Sequence, residues 1–298
     1  METLLLKGKP VLDSIKEALV PRVENLKESD IVPQLAAILV GDDPASHVYV
    51  RNKSKAFERL NCKSKTYKIP ADTTEKDLLE LIDSLNKDIE IHGILVQLPL
   101  PKHLDSKKIL NSVSPKKDVD GFHPENLGLL LEGSPNFIPC TPSGVLEILK
   151  YYNIPVSGRH AVIIGRSNIV GKPMFALLAQ KFEIGNATVT IFHTGTKDIA
   201  FYTKQADILI AAVGLPNMVT GDMIKVGADI IDVGINRVDD DSEKGYKLLG
   251  DVDINSVMGK ANSITPVPGG VGPMTITMLL VNTIKSAEKS KKYTLDYC

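Results

Sequence analysis

Val162-Ile163-Ile164-Gly165-Arg166-Ser167-Asn168-Ile169-Val170-Gly171-Lys172-Pro173 is the stretch whose reading decides the fold. An apolar run enters Gly165, and Gly171 and Pro173 open a helical segment, so a strand passes into a helix through a tight glycine turn. At such a turn the backbone N–H groups of a helix start meet a dinucleotide pyrophosphate. The spacing is Gly-x-Ser-x-x-x-Gly and departs from the usual Gly-x-Gly-x-x-Gly, and a turn of this kind also occurs without a ligand.

Outward from this turn, strand-like runs recur at Ala161–Ile164, Thr188–Phe192, Ile208–Val213 and Asp229–Val233, with helical segments between them. That alternation predicts a doubly wound, Rossmann-type domain. Upstream, Gln34–Val40, Lys65–Ile69 and Gly93–Val96 alternate with helical stretches at Val48–Leu60 and Glu75–Asn86, which predicts a second parallel sheet covered on both faces, a three-layer α/β domain. A further helical pattern spans Val11–Leu26, where Pro21 is expected to kink or split it. The Pro- and Gly-rich stretch Gly133–Gly144 marks a boundary. After Pro266-Val267-Pro268-Gly269-Gly270, a helix from Pro273 to about Lys289 has a wide apolar face and is expected to pack back on the first domain. The expected division is therefore 1–139 with 274–298 as one domain and 140–273 as the other.

With 298 residues, 43% of them hydrophobic and 24% charged, the chain has enough apolar surface for two cores. A net charge of −1 provides no positive field for a polyanion, which argues against nucleic acid as a partner. Cys62, Cys140 and Cys298 are far apart and form no disulfide framework or metal-ligand spacing, so no metal is expected. The three leucines after Thr3 are too few for a signal-peptide core and no apolar run reaches membrane-spanning length, so a cytoplasmic protein is expected.

Cofactor preference is legible at the second strand of the later series. An NAD site places a carboxylate at that strand end, whereas here Phe192 leads into His193-Thr194-Gly195-Thr196. Arg166, inside the glycine turn, and Thr194 are placed to bind a ribose 2′-phosphate, so NADP is preferred; the competing reading of Arg166 is a surface arginine capping a nearby carbonyl.

In the first domain Tyr49 and Lys53 stand four apart on one helical face. Short-chain dehydrogenases carry a Tyr-x-x-x-Lys pair after the glycine turn, but here the pair precedes it, and a surface tyrosine beside a solvated lysine has the same pattern. Gln97 lies just past the carboxyl end of a strand, where open α/β sheets bind ligands, and Asp120 sits in an Asp-Gly turn. Cys140 reads as a small buried hydrophobe with no catalytic role.

Tyr49-x-x-x-Lys53, Val96-Gln97-Leu98-Pro99, Lys117-Asp118-Val119-Asp120-Gly121, Pro139-Cys140-Thr141-Pro142, Gly165-Arg166-Ser167, Asp232-Val233-Gly234-Ile235-Asn236 and Ile264 to Thr275 (ITPVPGGVGPMT) together resemble the signatures of the bifunctional methylenetetrahydrofolate dehydrogenase/methenyltetrahydrofolate cyclohydrolase family. The likeness runs in order from about Leu5 to Ala287. It implies a two-domain homodimer in one-carbon metabolism, with folate on the first domain and NADP on the second. By the same resemblance, Tyr49, Lys53, Val96, Gln97, Leu98, Asp120, Pro268, Gly269 and Gly270 would contact the folate, and Gly165, Arg166, Ser167, Thr194 and Ile235 the NADP. Asp120 would accept two hydrogen bonds from the pterin, Tyr49 would stack on it, and Lys53, positioned by Gln97 and Tyr49, would carry the proton transfers of hydrolysis, for which a neutral amine is needed. The alternatives are a monofunctional dehydrogenase, an NADP oxidoreductase of shikimate-dehydrogenase type and a non-enzymatic nucleotide sensor.

Overall fold

The computed structural model describes residues 2–241 and 245–295, except for the side chains of 44, 45, 47–49 and 292–295. The chain runs β1 (Leu4–Leu5), α1 (Gly8–Lys27), β2 (Gln34–Val40), α2 (Pro44–Glu58), β3 (Lys63–Ile69), α3 (Glu75–Lys87), β4 (Gly93–Val96), α4 (Ser106–Ser112), α5 (Pro124–Glu132) and α6 (Cys140–Tyr151). It continues through β5 (His160–Ile164), α7 (Gly171–Ala179), β6 (Thr188–Phe192), α8 (Ile199–Thr203), β7 (Ile208–Ala211) and β8 (Asp229–Asp232). The last elements are β9 (Asn236–Asp239), β10 (Tyr246–Leu249), α9 (Ile254–Val257), β11 (Ser263–Ile264) and α10 (Gly272–Leu295). Two compact units result, one of residues 14–140 with 276–298 and one of residues 1–13 with 141–275.

In the unit of 14–140 and 276–298, a parallel sheet of order β3-β2-β4 is sandwiched between two apolar layers. The strand period of two sorts the side chains: Leu35 and Ala37 of β2 and Leu95 of β4 pack with Leu19, Leu26, Val50, Phe57 and the α10 residues Leu279, Leu280 and Ile284. Ala36, Ile38, Ile94 and Val96 point the other way, to Leu78, Ile82, Leu85 and Ile109. Strands buried on both faces read as unbroken apolar runs, as QLAAILV and GILV do. β3 is one of the two edges and carries Lys63, Lys65 and Lys68, charges that discourage further strand pairing. The return of the last helix is fixed by polar contacts as well as burial. Asn282 Nδ2 donates to Val119 C=O at 2.8 Å and Ile138 C=O at 3.0 Å, and Arg22 Nε and Nη2 donate to the two oxygens of Glu288 at 2.8 and 2.7 Å.

Pro21 does not split α1, which runs unbroken through it. The proline and Glu17, whose carbonyl loses its partner, both lie on the exposed side, open to solvent.

The unit of 1–13 and 141–275 is a six-stranded parallel sheet of order β1-β11-β8-β7-β5-β6. Its core joins Val162 and Ile164 of β5 to Leu209 and Ala211 of β7 and Ile230 of β8. The first thirteen residues were expected in the other unit. They belong here because Leu4 and Leu5 pair with Ser263 and Ile264, while Thr3 Oγ1 donates to Ala261 C=O at 2.8 Å and accepts from Gly259 N–H at 2.9 Å. β9 and β10 form a separate antiparallel hairpin.

Candidate active site

α2 starts after Asp43, whose carboxylate accepts from Ser46 N–H at 2.8 Å, with Pro44 in its first turn. This cap sets the phase of the helix and so the direction in which residue 53 projects. Lys53 is only 9% exposed, and its Nζ donates to Gln97 Oε1 at 3.1 Å. Gln97 leaves the carboxyl end of β4, its N–H held by Ile38 C=O at 2.9 Å and its side-chain amide donating to Leu98 C=O at 2.8 Å. With the amide nitrogen held by that carbonyl, the oxygen faces Lys53. β2 leads to β3 on one side, and β4 lies on the other, so Lys53 and Gln97 sit where the strand order reverses.

Asp120 lies within a turn built by its neighbour Asp118, whose carboxylate accepts from Phe122 N–H at 3.2 Å, His123 N–H at 2.8 Å and Asn126 Nδ2 at 2.8 Å. Gly121 completes it at φ 79°, and a side chain there would press on the backbone of Pro139. Burial pushes the Asp120 carboxyl above the ordinary carboxylate range; the Lys53 charge pulls it back, and Asp118 adds to the upward push. Although its outer edge is partly exposed, the carboxyl is closely surrounded by protein.

Cys140 also belongs to this group, which the sequence reading missed. Its buried thiol donates to Val119 C=O at 3.4 Å and stands against Asp120. Burial first, and then the Asp120 charge, hold the thiol well above its usual range, so it stays protonated and is no nucleophile. Its adjacency to the aspartate has no local signal beyond the compact Pro139-Cys140-Thr141-Pro142 motif. The side chain of Tyr49 lies outside the described residues. Val96 is not part of the polar group: its side chain is 5% exposed and lies in the apolar layer under α3, whereas Leu98 is half-buried and offers its carbonyl to Gln97.

In the other unit, β5 is flanked by β6 and β7, so the strand order reverses between β5 and β7. Gly165 leaves β5 at φ 116°, and a Cβ there would collide with Ala212 C=O just past β7; one on Gly171 would collide with Gly165 C=O. The backbone is thus bare where a pyrophosphate would approach it. Ser167 Oγ accepts from Val170 N–H at 3.1 Å and Gly171 N–H at 3.4 Å, so it organises the start of α7 and keeps only its hydroxyl proton for a ligand. Arg166 and Thr194 are exposed. The nearest carboxylate beyond β6, Asp198, caps α8 by accepting from Phe201 N–H at 3.1 Å. These residues fit NADP: a glycine cradle, an exposed guanidinium and a strand end bearing Thr194 in place of an acid. Ile235 is 44% exposed, and Pro268, Gly269 and Gly270 lie in this same unit, between β11 and α10.

Two family models match the chain: the catalytic domain of tetrahydrofolate dehydrogenase/cyclohydrolase over residues 6–120 and the NAD(P)-binding domain of the same enzymes over residues 139–291. The chain belongs to the tetrahydrofolate dehydrogenase/cyclohydrolase family. Among this family's members, the bifunctional protein FolD of Chloroherpeton thalassium is 55% identical over 96% of this chain and 98% of its own length. The crystal structure of the bifunctional FolD methylenetetrahydrofolate dehydrogenase/cyclohydrolase of Campylobacter jejuni superposes with a TM-score of 0.90 at 50% identity, covering 96% of this chain and 99% of that one. The FolD enzyme of Trypanosoma brucei, solved with NADP cofactor and an inhibitor, reaches a TM-score of 0.91 at 38% identity over 97% of this chain and 99% of that one. In the family's terms, the Lys53–Gln97–Asp120 group falls in the catalytic-domain match, with Gly165, Arg166, Ser167 and Thr194 in the NAD(P)-binding match.

Proposed function

We propose that the chain oxidises 5,10-methylenetetrahydrofolate with NADP and hydrolyses the methenyl product to 10-formyltetrahydrofolate, using Lys53, Gln97 and Asp120 for the folate. The observation that supports this most is the hydrogen bond from Lys53 to Gln97, within the field of the Asp120 carboxyl. It combines a proton-carrying amine, an amide that fixes it, and an acceptor for a ligand's donor edge.

Asp120 accepts two parallel hydrogen bonds from the amino-pyrimidine edge of the pterin, whose donor spacing resembles a guanidinium. NADP, held by Gly165, Arg166 and Thr194, would supply the acceptor for the hydride that leaves the methylene carbon. That step requires alignment and no protein base. Hydrolysis does require proton transfer. Water adds to the methenyl carbon and loses a proton; the hydroxyl so formed loses its second proton as the bond from that carbon to N5 breaks and N5 is protonated, leaving the N10-formyl carbonyl and one proton released to solvent, and Lys53 exchanges these protons while Gln97 holds it in place. Arg166 and Thr194 would hold the 2′-phosphate of NADP, and the bare backbone at Gly165 would admit the pyrophosphate. Residues 14–140 with 276–298 are read as the folate unit and 1–13 with 141–275 as the NADP unit. A cytoplasmic homodimer with no nucleic-acid partner completes the reading, consistent with a net charge of −1.

One assay tests it: methylenetetrahydrofolate is supplied with NADP or NAD, and reduced cofactor and methenyl absorbance are followed together. Reduction with NADP and a methenyl signal that decays are expected. A methenyl product that decays no faster than in buffer would identify a monofunctional dehydrogenase instead.

A further inference from the structure

Two fully or nearly buried carboxylates, Asp232 and Asp251, take no part in the chemistry proposed above. Asp251 Oδ2 accepts from Val213 N–H at 2.7 Å and Gly214 N–H at 3.0 Å, and its Oδ1 accepts from Leu215 N–H at 3.0 Å and Asn236 Nδ2 at 2.9 Å. Four donors fill the four acceptor positions of one carboxylate. Asp232 supports it from behind: its Oδ1 accepts from Gly234 N–H at 3.0 Å and Asp251 N–H at 2.9 Å, and its Oδ2 accepts from Val252 N–H at 2.9 Å. Space here is so tight that a side chain on Gly250 would strike the Asp232 carboxylate, and one on Gly234 the Asp251 carboxylate.

The three consecutive amides that Asp251 collects belong to the loop leaving β7, beyond the reach of the strand ladder. That loop begins at Ala212, whose carbonyl abuts Gly165, so residues 165–167 and 212–215 are the two lips of the crevice where the strand order reverses. The fourth donor, Asn236, adjoins Ile235. We infer that Asp251 is a positioning residue for the dinucleotide: its carboxylate holds the Val213–Leu215 lip at the separation from Gly165 that the cofactor requires. This rests on the reading of residues 141–275 as NADP-binding.

Asparagine at 251 keeps the volume but replaces one acceptor oxygen by an NH2 group that faces backbone N–H groups, and the lip is released. Asp251→Asn is expected to raise the KM for NADP by about tenfold or more with a smaller change in kcat, while cofactor-free hydrolysis of the methenyl compound stays within about twofold of wild type. Gly214→Ala perturbs the same lip from the other side, because Gly214 has φ 70° and open space around an added Cβ; a rise of about threefold in the NADP KM is expected, again with hydrolysis unchanged. An unchanged NADP KM in folded Asp251→Asn, or equal losses in both activities, overturns the inference. If Asp251→Asn does not accumulate as folded protein, an unchanged NADP KM in Gly214→Ala does so. Should the wild type fail to oxidise the folate with NADP, the functional reading fails instead, and NADPH fluorescence titration of the variants still tests Asp251.

Discussion

Replacing Lys53 with methionine removes one ammonium group while keeping most of the side chain's length. Among the described residues Nζ has one hydrogen bond, 3.1 Å to Gln97 Oε1, and the side chain is 9% exposed. Losing that partner leaves a half-buried amide oxygen unsatisfied, a cost of about 1–3 kcal/mol that burial of the methionine side chain partly offsets. A domain of ordinary stability, about 5–15 kcal/mol, tolerates this. The catalytic effect is larger. General acid–base catalysis contributes about 10²–10⁴-fold, or roughly 3–5 kcal/mol of barrier, and with the role proposed for Lys53 all of it should be lost from hydrolysis. Dehydrogenation, which needs no protein base, falls less. Asp120 also loses the cation that pulls its carboxyl down, so its proton affinity rises further and folate binding becomes more sensitive to pH. The assay follows decay of methenyl absorbance without cofactor, beside NADPH production from the methylene substrate and a thermal melt. Hydrolysis within a few-fold of wild type in a folded Lys53→Met protein would refute the reasoning.

Arg166→Ala should raise the KM for NADP far more than that for NAD, because only the 2′-phosphate loses a partner; equal changes would remove Arg166 from phosphate recognition. Gly165→Val should abolish NADPH binding, since the added carbons meet Ala212 C=O and the φ of 116° suits no branched residue; retained binding measured by calorimetry would contradict the proposed cradle. Stability should decline on acidification through His92. Burial, aided by Lys117, lowers its pKa to about 4 from 6.5, so between those values only the unfolded chain takes up the proton and stability falls by up to about 3 kcal/mol. Asp232 acts in the opposite sense: burial raises it to about 6, so its contribution is full below the unfolded value and is lost as pH rises through 6. Urea melts of wild type and His92→Asn between pH 7.5 and 4.5 isolate the histidine, because Asp232 is common to both. Parallel pH slopes would exclude His92 as the source.

The sequence alone determined the elements whose signal is local. β2 from Leu35, β4, and β5 from Ala161 are unbroken apolar runs, and such runs in a parallel sheet must be covered on both faces. The glycine turn after Ile164 and the His193-Thr194 strand end likewise announce a dinucleotide site from a few adjacent residues. Tertiary structure decided what depends on distant partners. β1 and β11 are two residues each, too short for any period, and exist because Leu4 meets Ser263 across most of the chain. Cys140 reads as a plain buried thiol until the fold sets it against Asp120, and Asp251 carries no local signal of its role, which comes from the amides of Val213, Gly214 and Leu215, some 36 to 38 residues earlier. Propensity and periodicity report on neighbours within a turn or a strand, whereas a buried carboxylate takes its meaning from donors that only the folded backbone brings to it.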